Sequence, residues 1–216
     1  MNRHLRVLVA GMAVMGIAAA AHAESESLIF LDNGPFARYD LRLNGANMNN
    51  VNATWLKFGH GSPSATDYLF CTELTQSIAP KGQFKSYEKI EKNGEMGWLI
   101  NQYNDVMSSN IADKDARAAG IQLAIWEMKY EGEGGTYDLS KGKFKVNDAD
   151  NALGDKGLIF AKEYLAAAKG NTADYILYHN SKYQDMVGAA PVPEPATLAA
   201  LSAGLLFLRK RKKKAA

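Results

Sequence analysis

Few residues of this chain can do chemistry. The stretch "LFCTEL" holds Cys71, the single cysteine among 216 residues. A thiol can serve as nucleophile, metal ligand, half of a disulfide or small apolar filler. Partners for the first three roles are scarce. Only His60 and His179 lie beyond the first 23 residues, so a zinc site of cysteine and histidine ligands lacks members. No P-loop, G-x-S-x-G elbow or dinucleotide fingerprint occurs, and no cofactor is expected. The stretch "NDADNALGD", residues 147–155, carries Asp148, Asp150 and Asp155, a set of carboxylates that can hold calcium. It departs from the EF-hand pattern, because Ala152 and Leu153 stand where an oxygen ligand and the turn glycine belong. A polar loop and no metal are expected there. Two readings of Cys71 then stand on residue type: a buried small hydrophobe beside Leu69 and Phe70, or a hydrolase nucleophile paired with His179.

A second polar residue occupies an unusual place. In "DARAAGIQLAIWEMKYEGEGG", residues 115–135, Ala119, Leu123, Trp126 and Tyr130 fall on one face of a helix, with Ala118, Gln122 and Ile125 beside them. Gln122 therefore sits at the edge of an apolar stripe. Burying an amide without partners costs about 1 to 3 kcal/mol, so its ends must find partners, most simply on the sheet the helix packs against.

The two ends of the chain carry export signals. Residues 1–23 combine Arg3 and Arg6, an apolar stretch and the small-residue pattern Ala21-His22-Ala23, as a secretory signal peptide does. At the other end Pro193-Glu194-Pro195 precedes an apolar run over 196–208 and a basic block over 209–214. As a helix that run spans about 20 Å, short for a hydrocarbon core of roughly 30 Å. This order of elements resembles the PEP-CTERM sorting signal of exported proteins in Gram-negative bacteria that make exopolysaccharide. The resemblance implies an exosortase-type processing enzyme as partner and a transient inner-membrane intermediate held by the transmembrane run. The protein is then expected at the cell surface or in the extracellular matrix. Of the 25 Lys and Arg, two lie in the leader and six in the tail, leaving 17 in the body against all 23 Asp and Glu. A body with a net charge of 17 minus 23, or −6, argues against nucleic acid as a partner.

Between the ends, residues 24–187 are expected to form one domain, with 188–195 as a linker bearing the sorting motif and 196–216 as sorting helix and basic tail. "SLIFL", "ARYDLRLNG", "ATWLKFG" and "DYLFCTEL" read as strands separated by turn-rich segments. Helices are predicted over 87–106, with an interruption near Gly94, over 114–130 after an Asp113 cap, and over 156–169 ending at Gly170. "ADYILYHN" and "YQDMV" return to strand. The expected class is α+β: a mostly antiparallel β sheet or sandwich with a helical subdomain.

"YLFCTEL", then "GWLINQY" over 97–103, then "AAGIQLAIW" over 118–126, together resemble the thioester domain of bacterial surface adhesins. In that family the cysteine thiol is acylated by a glutamine side chain of a Q-x-A-I-W-type motif, with loss of ammonia. The resemblance implies a Cys71–Gln122 thioester. Tyr68, Trp98 and Trp126 are then expected to shelter the bond, though core packing accounts for each equally well. Glu73 or Glu127 would be available to move protons. Such a protein is a reactant and not an enzyme, capturing a surface amine or hydroxyl. Ile121 stands where several members have threonine or valine, and those adhesins carry a different sorting signal. The alternative is a non-covalent exopolysaccharide or biofilm matrix protein with a buried cysteine.

Overall fold

The computed structural model describes residues 24–108 and 111–191. Its elements run β1 (Glu24–Asn33), β2 (Ala37–Leu43), β3 (Ala46–Ala53), β4 (Leu56–His60), β5 (Thr66–Cys71), β6 (Phe84–Gly94), α1 (Glu95–Ser108), α2 (Lys114–Glu131), β7 (Phe144–Ala149), α3 (Ala152–Ala168), β8 (Ala173–His179) and β9 (Met186–Ala189). The class is α+β with antiparallel strands, as the sequence suggests. Six strands close into a barrel in the order β1-β4-β5-β9-β8-β6, and β3-β2-β7 form a second sheet.

Cross-strand partners share a face of a sheet, and alternate residues share it along a strand. Cys71 pairs with Met186, Met186 with Tyr178, and Tyr178 with Lys89, so these residues face one way. That way is inward. β4 and β8 lie opposite each other in the ring, yet the His60 and Tyr178 rings meet edge to face at 5.7 Å. Leu28, Phe58, Leu69, Tyr87 and Met186 fill the lumen and are buried. One mouth is polar: a cavity of about 440 Å³ is lined by Glu26, His60, Asp67, Lys89, Tyr178 and Pro191, among others.

The helix α2 is buried from Ala116 to Met128 except at Arg117. Its neighbours include β5 of the barrel, β3 and β7 of the small sheet, and both other helices. Gly120 permits the close approach of α3, since a Cβ there would lie 2.8 Å from the Phe160 Cβ and 2.9 Å from the Ala161 nitrogen. The strand β2 shows the expected alternation, with Ala37, Tyr39, Leu41 and Leu43 buried against the helices. Tyr39 donates to the Gly154 carbonyl at 3.0 Å and ties that sheet to α3.

Several elements differ from the sequence expectation. Residues 84–94 form a strand and not the first half of a helix, because pairing with β1 on one edge and β8 on the other satisfies their backbone groups. Helix α1 starts only at Glu95. The asparagine-rich β3 and the strand β7, whose last residues 147–149 open the supposed polar loop of 147–155, are both held by β2. Asp113 does not cap α2: it sits at φ 58° without a side-chain cap bond, and its carboxylate accepts from Lys156 Nζ at 2.7 Å. Asn151 does cap α3, accepting from Gly154 N at 2.8 Å and starting that helix earlier than expected. Among the described residues no group of three or more His, Cys, Asp or Glu could hold a metal ion.

Candidate functional site

Strand β5 outruns its neighbour. β4 begins at Leu56, which pairs with Leu69, so no β4 residue lies opposite Cys71. The backbone N–H and C=O of Cys71 would be left unpaired on that edge, and burying them so is costly. Gln122 takes the place of the missing strand. Cys71 N–H donates to Gln122 Oε1 at 3.0 Å, and Gln122 Nε2 donates to the Cys71 carbonyl at 2.7 Å. A carboxamide offers one acceptor and one donor group side by side, which is what a one-residue strand requires. On the other edge, Thr72 N–H donates to the Asp185 carbonyl at 3.0 Å, so the end of β5 is held from both sides.

The two residues that the resemblance pairs across 51 positions are therefore in direct contact. Gln122 is 1% exposed and Cys71 7%. The Gln122 amide carbon lies between its two hydrogen bonds, alongside the residue that carries the only thiol. Burial first, and then the Glu73 carboxylate, push that thiol's pKa well above the ordinary cysteine value. The neutral thiol is the resting form.

The other expected residues are distributed around this contact. Glu73 reaches the segment before β9: its Oε1 accepts from Asp185 N–H at 3.1 Å, and its carbonyl accepts from Gln184 Nε2. It braces the approach to β9 while facing Cys71 electrostatically. Tyr68 lies on the opposite face of β5 from Cys71, three residues away, with its ring 5.2 Å from Trp55 and 5.8 Å from Tyr103. Trp126 is buried one turn after Gln122, its ring 6.3 Å from Phe144 of β7. Trp98 is half-buried on α1 against the core. Glu127 stands about 140° around α2 from Gln122. Fully buried, it accepts from Asp138 N–H at 2.7 Å, and its Oε2 has no hydrogen-bond partner among the described residues. Burial, followed by Glu131 and Asp138, raises its carboxyl to about 7 against the pull of the Asp138 N–H.

His179 follows the inward Tyr178 and so faces out of the barrel. Its Nδ1 contacts the Asp185 carboxylate at 2.9 and 3.0 Å, and that hydrogen bond chiefly raises its pKa. It is engaged there, while Cys71 faces inward.

One residue of the site was not visible in the sequence. β5 and β6 are diametrically opposite in the ring, so inward residues of the two meet across the lumen. Tyr87 of β6 pairs with Glu26 and points inward. It is 1% exposed, and its hydroxyl has no hydrogen-bond partner among the described residues. Burial and then the neighbouring Cys71 raise its phenol to about 12. Read as helix, residue 87 has no lumen to face. Alternation in "FKSYEK", with Tyr87 between exposed Ser86 and Glu88, was the available signal.

Residues 191–213 match the PEP-CTERM protein-sorting motif. This motif implies an exported protein that exosortase sorts through the membrane to the cell surface. Pro193, Glu194 and Pro195, the apolar run after them and the leader expected over 1–23 lie outside the described residues. Pro191, where the PEP-CTERM match begins, lines the polar mouth of the barrel. Among the described residues no helix is long and apolar enough to cross a membrane. No curated protein and no solved structure matches the chain.

Proposed function

We infer that this exported protein carries an internal thioester between Cys71 Sγ and Gln122 Cδ, through which it acylates an amine or hydroxyl at the surface. The observation that carries this reading is the buried contact in which both ends of the Gln122 carboxamide are held by the Cys71 backbone. Formation breaks the Gln122 Cδ–Nε2 bond and the Cys71 S–H bond, makes Cδ–Sγ, and releases ammonia. Cys71 N–H already donates to the oxygen on which negative charge develops, so one stabilising donor is in position before reaction. Fixing the amide removes much of the orientational cost of the step, and burial excludes the water that would hydrolyse the product.

Capture is the second half. An amine attacks Cδ, the thiol is freed, and a new amide joins Gln122 to the target. A cavity of about 380 Å³ whose lining includes Thr72, Lys92, Met128, Glu133 and Tyr175 opens beside the residue after Cys71. The protein turns over once and is a reactant. Intact-mass measurement of the processed protein is expected to show a deficit of one ammonia, abolished by Cys71→Ala or Gln122→Ala. Methylamine is expected to add to Gln122 and free the thiol. An unmodified mass at neutral pH refutes the bond.

A second reading rests on the same contact. Both polar atoms of Gln122 are satisfied without any covalent step, and burial keeps the thiol neutral. On that reading the pair is a strut in a non-covalent exopolysaccharide or biofilm matrix protein. No ammonia deficit is then expected, and Cys71 reacts with thiol reagents only after unfolding.

A further inference from the structure

We propose that the Tyr87 hydroxyl is the proton partner of the Cys71 sulfur in making and opening the thioester, a role that rests on the thioester reading above. Burying a hydroxyl without a partner is costly, and removing such a group costs a fold nothing. Tyr87 nevertheless carries one in the barrel lumen, on the strand diametrically opposite Cys71 and on the inward face that Cys71 shares. Cys71, Asp185 and Tyr183 all influence it electrostatically, and none of them hydrogen-bonds to it in this resting form. Of these only the Cys71 sulfur takes part in the chemistry, on the inward face of the opposite strand, and the phenol proton is uncommitted at rest. Charge is poorly tolerated at either group, so a thiolate cannot be released into this lumen unprotonated.

The phenol lets the step proceed without a free thiolate. When an amine attacks Gln122 Cδ, the Cδ–Sγ bond breaks, and sulfur takes the Tyr87 proton as its pair of electrons arrives. The attacking nitrogen gives up one proton, which restores the phenol. Formation is the reverse, with ammonia as the departing amine: the thiol proton passes to the phenol oxygen and the phenol proton to the amide nitrogen. No oxidant, metal or net charge is required.

Tyr87→Phe tests this in the full exported protein, because it keeps the ring and removes only the unpartnered oxygen. Wild type, Tyr87→Phe and a control, Tyr164→Phe, which removes another buried unpartnered hydroxyl on α3, are compared by intact mass. Methylamine capture is then followed by thiol release in water and in deuterium oxide. The expected result is a wild-type ammonia deficit and a solvent isotope effect on capture. Tyr87→Phe is expected to melt no lower, and either to lack the deficit or to capture methylamine about tenfold to a hundredfold more slowly with the isotope effect lost. Tyr164→Phe is expected to match wild type. A Tyr87→Phe protein with the full deficit, wild-type rate and wild-type isotope effect overturns the proton role and leaves the thioester standing. Absence of the deficit in wild type overturns both.

Discussion

In a Cys71→Ala background, where no ammonia can be lost, Gln122 keeps both ends of its carboxamide on the backbone of residue 71, so adding Gln122→Leu leaves two buried backbone groups unpaired at once. Each such group costs about 1 to 3 kcal/mol. The expected loss for the two together is about 2 to 6 kcal/mol in urea unfolding. Cys71→Ala removes the sulfur but keeps both hydrogen bonds, so the cost of adding Gln122→Leu to Cys71→Ala measures the clamp itself. Glu127, the other buried polar residue of α2, acts through pH. Its folded pKa of about 7 lies above the ordinary carboxyl value of 4.5. The folded state therefore holds its proton more tightly, and the associated stability is complete below pH 4.5 and lost as pH rises through 7. Glu127→Gln is expected to flatten this dependence and to raise stability near pH 8 by about 2 to 3 kcal/mol relative to wild type, read from urea midpoints at pH 5 and 8. His179 shifts in the same direction through Asp185, so the comparison is best made in a His179→Gln background.

Helix α1 is tied to its neighbours by the residue that begins it. Glu95 is buried, and its carboxylate accepts from Gly170 N–H at 2.6 Å, Gly134 N–H at 3.1 Å and the Tyr137 hydroxyl. Burial opposes its ionisation, but these donors and Lys169 outweigh that and hold its pKa below the ordinary value. One carboxylate thus joins the start of α1 to the loops after α2 and α3. Glu95→Gln is expected to cost about 1 to 3 kcal/mol at pH 7 in thermal or urea unfolding. The depressed pKa means that Glu95 stabilises above its unfolded value, so the difference is expected to vanish as pH falls through the folded pKa. This same junction is where the sequence was hardest to read. "YEKIEKNGEMGWLINQY" can be read as helix on both sides of Gly94, and the short alternation around Tyr87 does not say that strands wait on both edges. By contrast, α2 was legible nearly to the residue, because a fully buried helix needs an unbroken run of small and apolar side chains and "AAGIQLAIW" supplies one.

At the scale of the whole molecule, the last strand of the barrel leads directly into the sorting segment. β9 runs to Ala189, and Pro191 lines the barrel mouth at the first residue of the PEP-CTERM match. Replacing Pro193-Glu194-Pro195 by alanines is expected to leave an unprocessed chain in the membrane fraction. Immunoblotting of fractions checks this, and an unchanged circular dichroism spectrum of the extracted body would show that the fold does not depend on the motif. Export, the acidic balance of the body and the rarity of catalytic side chains follow from linear order and composition, which the sequence carries complete. That Cys71 has a glutamine for a neighbour was available there only through resemblance to a family. Tertiary structure alone decided how the two meet: β4 stops short of the end of β5, and a side chain of the central helix replaces the absent strand. It also placed Tyr87 opposite the thiol, since which residues share a lumen depends on ring closure, and closure is made by pairings between strands far apart in the chain.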